Sequence, residues 1–389
     1  MRERRRKALD DWEAAGNSRH CLSDVDAFIK RELVAAGKYP HIIGSRNDVL
    51  QCLLGPVIAA IEPHLSKVPG ARCISANSLG KGRYVEEALF MCHKALEVDF
   101  TAWDSTVSQF DLQLTHSIYT RLFSSFCSPW ITIALAAHAT SKWSYRDGCR
   151  YTLIGTRVSG DPDTTVGNTI IHWCYNQAFL GGGTRPLYPW LAAHHHFEVA
   201  GDDGVMGLPD RPYDLSFYTR CGKDAKPIPR PMVDDATFCS GVVLPVVVGG
   251  VVCPRLYRVP GRSIGRLPYT SRVVSRRFAS SELEARALSE IYASSGLPVV
   301  FEYARLLFRS SCHGPRRDLP ADRDVARRLM LEQSVPLVTT VDSRTRESFA
   351  HLFDVDISTQ IQSELRLAAA PPWAQVHCPV LNHLTSAHT

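Results

Sequence analysis

Asp99 closes the apolar segment A-L-E-V-D-F (95–100), and Asp202 and Asp203 sit together in A-G-D-D-G (200–204). Singly, each has an ordinary reading: Asp-Gly is common turn chemistry, and Asp99 could simply end a strand. If the two segments lie on neighbouring strands, three carboxylates gather with no lysine or arginine close by in sequence. Such a cluster attracts divalent cations. Magnesium takes carboxylate and phosphate oxygens, and two ions about 3.5–4 Å apart can clamp the attacking and leaving oxygens of an in-line phosphoryl transfer. The chemistry is that of nucleotidyl transfer.

Positioning those carboxylates requires short strands backed by helices. Residues 95–100 read as a strand, and after Asp104 the residues Val107, Phe110, Leu114, Ile118 and Leu122 recur at helical spacing. In V-S-G-D-P-D (158–163), Asp161 is a natural N-cap and Pro162 a natural first helical residue, with Asp163 favouring the positive helix end. That helix is expected to run to about Leu180, where glycines 181–183 supply a left-handed residue to end it. Residues 196–208 read as a hairpin turning at Gly201–Gly204, and Val-rich runs flank Gly249-Gly250 in a second one. Ser281 and Glu284 fit a capping box for a helix ending at Gly296, a helical C-terminal region follows, and the last twenty residues read as a tail.

With 45% apolar and 21% charged residues the composition is that of a globular enzyme, which excludes disordered, collagen-like and coiled-coil readings. The longest apolar run, 242–252, is broken by Pro245, Gly249 and Gly250 and is too short to span a bilayer. The basic start has no apolar stretch of the secretory kind, and the twelve cysteines, none closer than Cys239 and Cys253, show no zinc spacing, so reduced thiols are expected. His194, His195 and His196 are consecutive; on a strand they would alternate faces, so no metal role is assigned to them. The net charge of +5 is concentrated: residues 254–280 hold seven arginines (255, 258, 262, 266, 272, 276 and 277) and no acid, with Tyr257, Tyr269 and Phe278 interleaved. Such a stretch suits a phosphate backbone with stacked bases, or else a solvated salt-bridged face.

Three motifs in order, D-F-T-A-W-D-S-T (99–106), S-G-D-P-D-T-T-V-G-N-T (159–169) and A-G-D-D-G (200–204), resemble the palm of the RNA-dependent RNA polymerases of positive-strand RNA viruses, in particular the tombusvirus-like, nodavirus-like and flavivirus-like groups. The resemblance covers about residues 26–260. It implies an α+β right-hand fold: partial fingers over 1–94, a palm over 95–257 with an antiparallel sheet, a mostly helical thumb over 258–370 and a tail over 371–389. It further implies that Asp99 and Asp202 hold two Mg²⁺ or Mn²⁺ ions with Asp203 in support. Asp104, Thr164 and Asn168 would sense the ribose 2′-hydroxyl, with Ser159 and Gly160 as the flexible loop before the helix; capping and packing are the alternative for Thr164 and Asn168. Lys30, Lys38 and Arg46 would grip the triphosphate, His41 standing where the family has an arginine. Lys226 is the candidate proton donor to pyrophosphate, with Lys223 a close alternative and a merely solvated lysine a third reading. Cys239 and Ser240 would hold the 3′ end of the growing strand, and Arg255, Arg258, Arg262 and Arg266 would line the RNA path.

The implied activity is template-directed addition of ribonucleoside monophosphates to an RNA 3′ end, using an RNA template and ribonucleoside triphosphates. Other viral replicase proteins are expected partners, in the cytoplasm of an infected cell, on a membrane for which the chain offers no spanning segment. A reverse transcriptase and a non-catalytic RNA-binding protein with a decayed or truncated palm are the rivals. With 98 residues before Asp99, the chain is expected to be the downstream part of a readthrough or polyprotein product, or a partial sequence.

Overall fold

The computed structural model describes residues 2–16, 21–30, 41–123, 129–181, 196–208, 210, 212–270, 274, 276–311, 323–373 and 376–387. Its strands are β1 (Asp24–Ile29), β2 (Ile42–Arg46), β3 (Lys94–Phe100), β4 (Thr140–Ser144), β5 (Arg150–Ile154), β6 (Phe197–Ala200), β7 (Asp203–Leu208), β8 (Ala225–Arg230), β9 (Thr237–Phe238), β10 (Gly241–Val248) and β11 (Val251–Arg258). The helices that matter to the site are α1 (Arg2–Ala14), α2 (Asp48–Leu65), α3 (Ser78–Leu89), α4 (Trp103–Thr106), α5 (Gln109–Leu122), α6 (Pro129–His138) and α7 (Thr164–Leu180). Then come α8 (Phe217–Arg220), α9 (Pro260–Arg266), α10 (Arg276–Ala293), α11 (Val300–Ser311), α12 (Arg323–Glu332), α13 (Ser343–Phe353), α14 (Ile357–Ala369) and α15 (Pro379–Ala387). The fold is mixed α+β. The chain forms two compact units, Met1–Ser75 with Leu96–Pro229, and Ala76–Ala95 with Arg230–Thr389. These bounds differ from the divisions drawn on the sequence: α3 leaves the N-terminal segment, and the β9–β11 sheet groups with the C-terminal helices.

The first unit holds two sheets. One has the order β2-β1-β4-β5, with β1 parallel to β4 and the other pairs antiparallel. The second, β6-β7-β3-β8, brings the strand carrying Asp99 beside the hairpin carrying Asp202 and Asp203. Helix α7 lies between two cores. Its Val166 and Ile170 join Trp12, Leu50, Leu54, Ile58, Tyr119 and Leu135, while Ile171, Phe179 and Leu180 pack with Leu96, Val98, Trp103, Val199 and Met206. Its β-branched residues are poor intrinsic helix formers, so burial on both sides makes the helix. It begins at Thr164 with Asp163 as N-cap and without a side-chain cap bond, later than the expected cap at Asp161. Gly181 is its C-cap, in the right-handed region, and Gly182 and Gly183, the other candidates for the left-handed residue, lie outside the described residues.

The helix expected after Asp104 is two helices. Val107 breaks α4, and Ser108 and Asp111 form a reciprocal capping box that starts α5. Phe110 and Leu122, core positions by spacing, are exposed, and the buried face is Asp111, Leu112, Thr115 and Tyr119. That face is largely polar because it meets charged groups of the site.

In the second unit, β10 and β11 form the hairpin expected at Gly249-Gly250, whose φ values of +58° and +84° suit a two-residue turn that only glycine adopts easily. Helix α3 approaches β11 so closely that a Cβ at Gly82 would lie 2.5 Å from the Pro254 carbonyl oxygen. Two expectations are corrected here. Helix α10 starts at Arg276, so Ser281 and Glu284 are interior to it and form no N-terminal cap, although Gly296 is left-handed at φ +84° beyond its end. The supposed tail contains α15, whose Val380 and Leu384 are buried with Leu297, Phe349 and Leu367. Among the described residues no helix is long and apolar enough to cross a membrane, and the described cysteines are free thiols.

Candidate active site

The catalytic candidates begin at the β6–β7 turn. Ala200 pairs with Asp203, leaving Gly201 and Asp202 as a two-residue loop whose first residue has φ +70°, the place where glycine is favoured. Helix α7 holds this loop from behind. The Gly201 N–H donates to Thr169 Oγ1 at 2.8 Å, and His172 Nδ1 donates to the Gly201 carbonyl at 3.3 Å. A side chain at Gly204 would collide with the His172 ring. Burial pushes His172 down to about 3, so it stays neutral. The turn is thereby locked while Asp202 and Asp203 face solvent, as does Asp99 on β3. Although the residue is exposed, loss of hydration by the surrounding atoms raises the Asp202 carboxyl above its ordinary range; its own backbone N–H opposes this and the charge of Asp99 adds to it. The two carboxylates therefore feel each other. They are not a preformed cage: among the described residues, the group of three acids, histidines or cysteines with donor atoms within 4.8 Å of one another is His138, Asp161 and Asp163. Hard oxygen donors that are exposed and mutually repelling fit magnesium, which keeps waters and takes one or two carboxylates together with substrate phosphates.

The buried group is a salt-bridge network. His138 Nε2 lies 3.1 Å from Asp161 Oδ2 and 3.1 Å from Asp163 Oδ1, Arg46 Nε pairs with Asp161 Oδ1 at 2.6 Å, and Arg157 Nη1 pairs with Asp163 Oδ1. Burial alone would lower His138, but Asp161 and Asp163 outweigh it and push it up to about 9. His116, 3.0 Å from His138 Nδ1, is pushed down to about 4 by burial and by that neighbouring charge. Two arginines and an imidazolium already balance two carboxylates here, which leaves no anionic charge for a metal.

This network reaches the candidate nucleotide site through Asn168. Arg157 Nε donates to Asn168 Oδ1 at 3.2 Å, and Asn168 Nδ2 donates to Asp104 Oδ1 at 2.8 Å. Burial raises the Asp104 carboxyl; the Asn168 bond and Arg157 oppose that, and Asp202 adds to it. Asp104 is thus within electrostatic reach of the Gly201–Asp202 turn.

Other predicted residues fall differently. Ser159 and Gly160 are tied to β2: the Gly44 N–H donates to Ser159 Oγ at 3.2 Å, and a Cβ at Gly160 would strike the Gly44 carbonyl. The Thr164 hydroxyl donates to the Asp161 carbonyl at 2.9 Å, which ties the first residue of α7 to the loop before it and is not a cap bond. Arg46 is corrected outright. It is buried, and besides Asp161 it donates to the carbonyls of Thr140 at 2.8 Å and His138 at 2.9 Å, so it cannot grip a triphosphate. Lys30 and His41 are exposed at the base of the β1–β2 hairpin, where the Lys30 N–H donates to the His41 carbonyl at 2.8 Å; Lys38 lies outside the described residues. Lys226 is exposed on β8, the strand beside β3. Lys223 is buried, bonded to Asp111 at 2.8 Å and to the Thr106 carbonyl at 2.9 Å. That removes it as the proton donor. His196 directly precedes β6, and His194 and His195 lie outside the described residues.

Residues 89–371 match the family described as viral RNA dependent RNA polymerase. The chain belongs to that family. It is similar to an RNA-directed RNA polymerase of groundnut rosette virus, 27% identical over 203 residues that cover 47% of this chain and 22% of the relative. A putative RNA-directed RNA polymerase of barley yellow dwarf virus (isolate MAV) is 25% identical over 312 residues, 74% of this chain and 34% of the relative. The chain therefore spans between about a fifth and a third of the length of these curated relatives.

The second unit carries the residues that the polymerase resemblance assigned to RNA. Cys239 and Ser240 form the two-residue turn between β9 and β10, with φ values of 50° and 57°; two non-glycine residues in the left-handed region store strain that the paired strands sustain. Arg262 donates to Ser240 Oγ. Arg255 is corrected: it is fully buried and donates to Ser78 Oγ at 2.8 Å and the Ser295 carbonyl at 3.0 Å, and pairs with Glu332 at 3.2 Å. It is a core residue of the unit. Arg258 and Arg266 are exposed and line a small cavity of about 140 Å³ with Arg286, Arg328 and Glu290. Crowding by protein atoms, then Arg328, with Glu290 opposing, pushes Arg258 down to about 10. Arg272 lies outside the described residues.

Proposed function

We propose that this chain is the catalytic part of an RNA-dependent RNA polymerase that transfers ribonucleoside monophosphates from triphosphates to an RNA 3′ end on an RNA template, replicating the genome of a positive-strand RNA virus. The observation that carries the reading is the pairing of Asp99 on β3 with Asp202 in the adjoining β6–β7 turn, electrostatically coupled and beside the Asp104–Asn168 hydrogen bond. Asp99 and Asp202, with Asp203, would hold two Mg²⁺ or Mn²⁺ ions, which when bound lower the pKa of the attacking hydroxyl and stabilise charge on the leaving oxygens. Asp104 and Asn168 would orient the incoming ribose. Lys226 would donate the proton to pyrophosphate, and Lys30 and Lys38 would offer cations to the triphosphate. Arg258, Arg262 and Arg266 with the Cys239–Ser240 turn would hold RNA.

In this reading the first unit supplies the palm, and the β1–β2 hairpin belongs to the fingers. The C-terminal helices form the thumb, and the chain works with other replicase proteins in the cytoplasm of an infected cell. The test is extension of a labelled RNA primer on an RNA template with Mg²⁺ or Mn²⁺, beside an Asp202→Ala, Asp203→Ala double variant. Extension that depends on ribonucleotides and disappears in the variant supports the reading. Silence from both folded proteins with RNA still bound favours a decayed or truncated palm.

A further inference from the structure

We propose that Arg157, buried behind the site, is a positioning residue for ribose selection: it fixes the amide of Asn168 so that Asp104 keeps one carboxylate oxygen turned to the nucleotide's 2′-hydroxyl. The inference rests on the polymerase reading above. A guanidinium Nε–H can only donate, so the atom of Asn168 that faces it must be the amide oxygen. The Arg157 Nε contact at 3.2 Å therefore dictates that the Asn168 NH₂ points at Asp104, and the 2.8 Å bond to Asp104 Oδ1 follows. Without that donor the amide is free to turn over. Its carbonyl would then face a carboxylate, and Asp104 would lose its orienting partner.

Arg157 also fixes Asp104 through the main chain, its own N–H donating to the Asp104 carbonyl at 3.1 Å. The guanidinium is itself held. Asp163 pairs with its Nη1, and the Tyr119 hydroxyl at 3.0 Å and His138 at 3.1 Å hold Asp163 in turn. Gly167 leaves the room: a Cβ there would overlap Arg157 Nη2 and come within 2.9 Å of its Cζ. Four buried side chains, Arg157, Asp163, Tyr119 and His138, thus converge on the orientation of one amide.

The experiment is single-nucleotide extension of an RNA primer, comparing kcat/KM for a ribonucleoside triphosphate with that for its 2′-deoxy analogue in the wild type, Arg157→Lys and Gly167→Ala. Arg157→Lys keeps the charge facing Asp163 but removes the forked donor, and Gly167→Ala keeps every charge and displaces the fork. Each is expected to lower the ribose-to-deoxyribose preference by about tenfold, the worth of one oriented hydrogen bond, with the rate on the deoxy substrate nearly unchanged. Asn168→Ala is expected to lower the same preference at least as far, and adding Arg157→Lys to it to lower that preference no further. Equal losses on both substrates in a folded variant, or an unchanged preference in both Arg157→Lys and Gly167→Ala, overturn the proposal. If the wild type extends no primer, the polymerase reading has failed instead, and the two failures are distinct. Where one variant does not melt cooperatively, the others carry the test.

Discussion

Asp202 sits in a locked turn with its carboxylate in solvent, so its removal should affect chemistry without affecting folding. Asp202→Ala is expected to cut incorporation more than ~100-fold, the several kcal/mol expected of an ion-holding carboxylate, with the melting midpoint within a degree or two of wild type. A comparable fall in that midpoint would mean that the loss is structural. Arg255 is the reverse case. Its truncation strands Glu332 in the core, and Arg255→Ala should cost about 3–5 kcal/mol of stability, readable by denaturant unfolding. The aspartates were legible because their motifs place them at strand ends, where side chains reach solvent. Arg46 and Arg255 were not, because residue type does not reveal burial: each ends up inside only when carbonyls and carboxylates from distant segments close around it.

At the level of elements, short-range chemistry was readable and register was not. Both glycine hairpins form where their turn residues stand, because φ preference acts within two residues. The buried face of α5 was misread, because hydrophobic spacing assumes an apolar core and this helix faces Lys223 and Asp163 through Asp111 and Tyr119. Network partners such as Arg157, His138 and His172 carried no local signal at all; the nearest was the presence of two more acids, Asp161 and Asp163, inside the second motif. The tightness of α7 against the β6–β7 hairpin predicts that Gly204→Ala, which drives a methyl into His172, destabilises by about 1–3 kcal/mol and lowers primer extension as well. For the arginine-lined face of α9 and β11, replacing Arg258 and Arg266 by alanine should weaken RNA binding uniformly across sequences. It should also flatten the dependence of log K on log salt by about 0.7 for each phosphate no longer neutralised. An unchanged slope would place the RNA elsewhere.

For the molecule as a whole, the histidines of the first unit set a pH optimum of stability. His138 is raised from 6.5 to about 9, so its contribution is complete below about pH 6.5 and is lost as pH rises through about 9. His116 and His172 are lowered to about 4 and about 3, so theirs is complete above about pH 6.5 and is lost on acidification. The midpoint of thermal unfolding should therefore peak near pH 6.5 and fall on both sides, and a flat profile between pH 6.5 and 9 would be incompatible with a charged native His138. The division of the chain has a different kind of consequence. Helix α3 belongs with β11, through Gly82 against Pro254 and Ser78 against Arg255, yet Leu96–Pro229 of the other unit intervenes. On a ribosome that adds roughly 5–20 residues per second, α3 emerges and then waits on the order of ten to thirty seconds for the strand that covers it. During that wait the rest of the first unit is synthesised around a helix that does not yet have its partner, and a chaperone that shields an amphipathic segment would have its longest opportunity there.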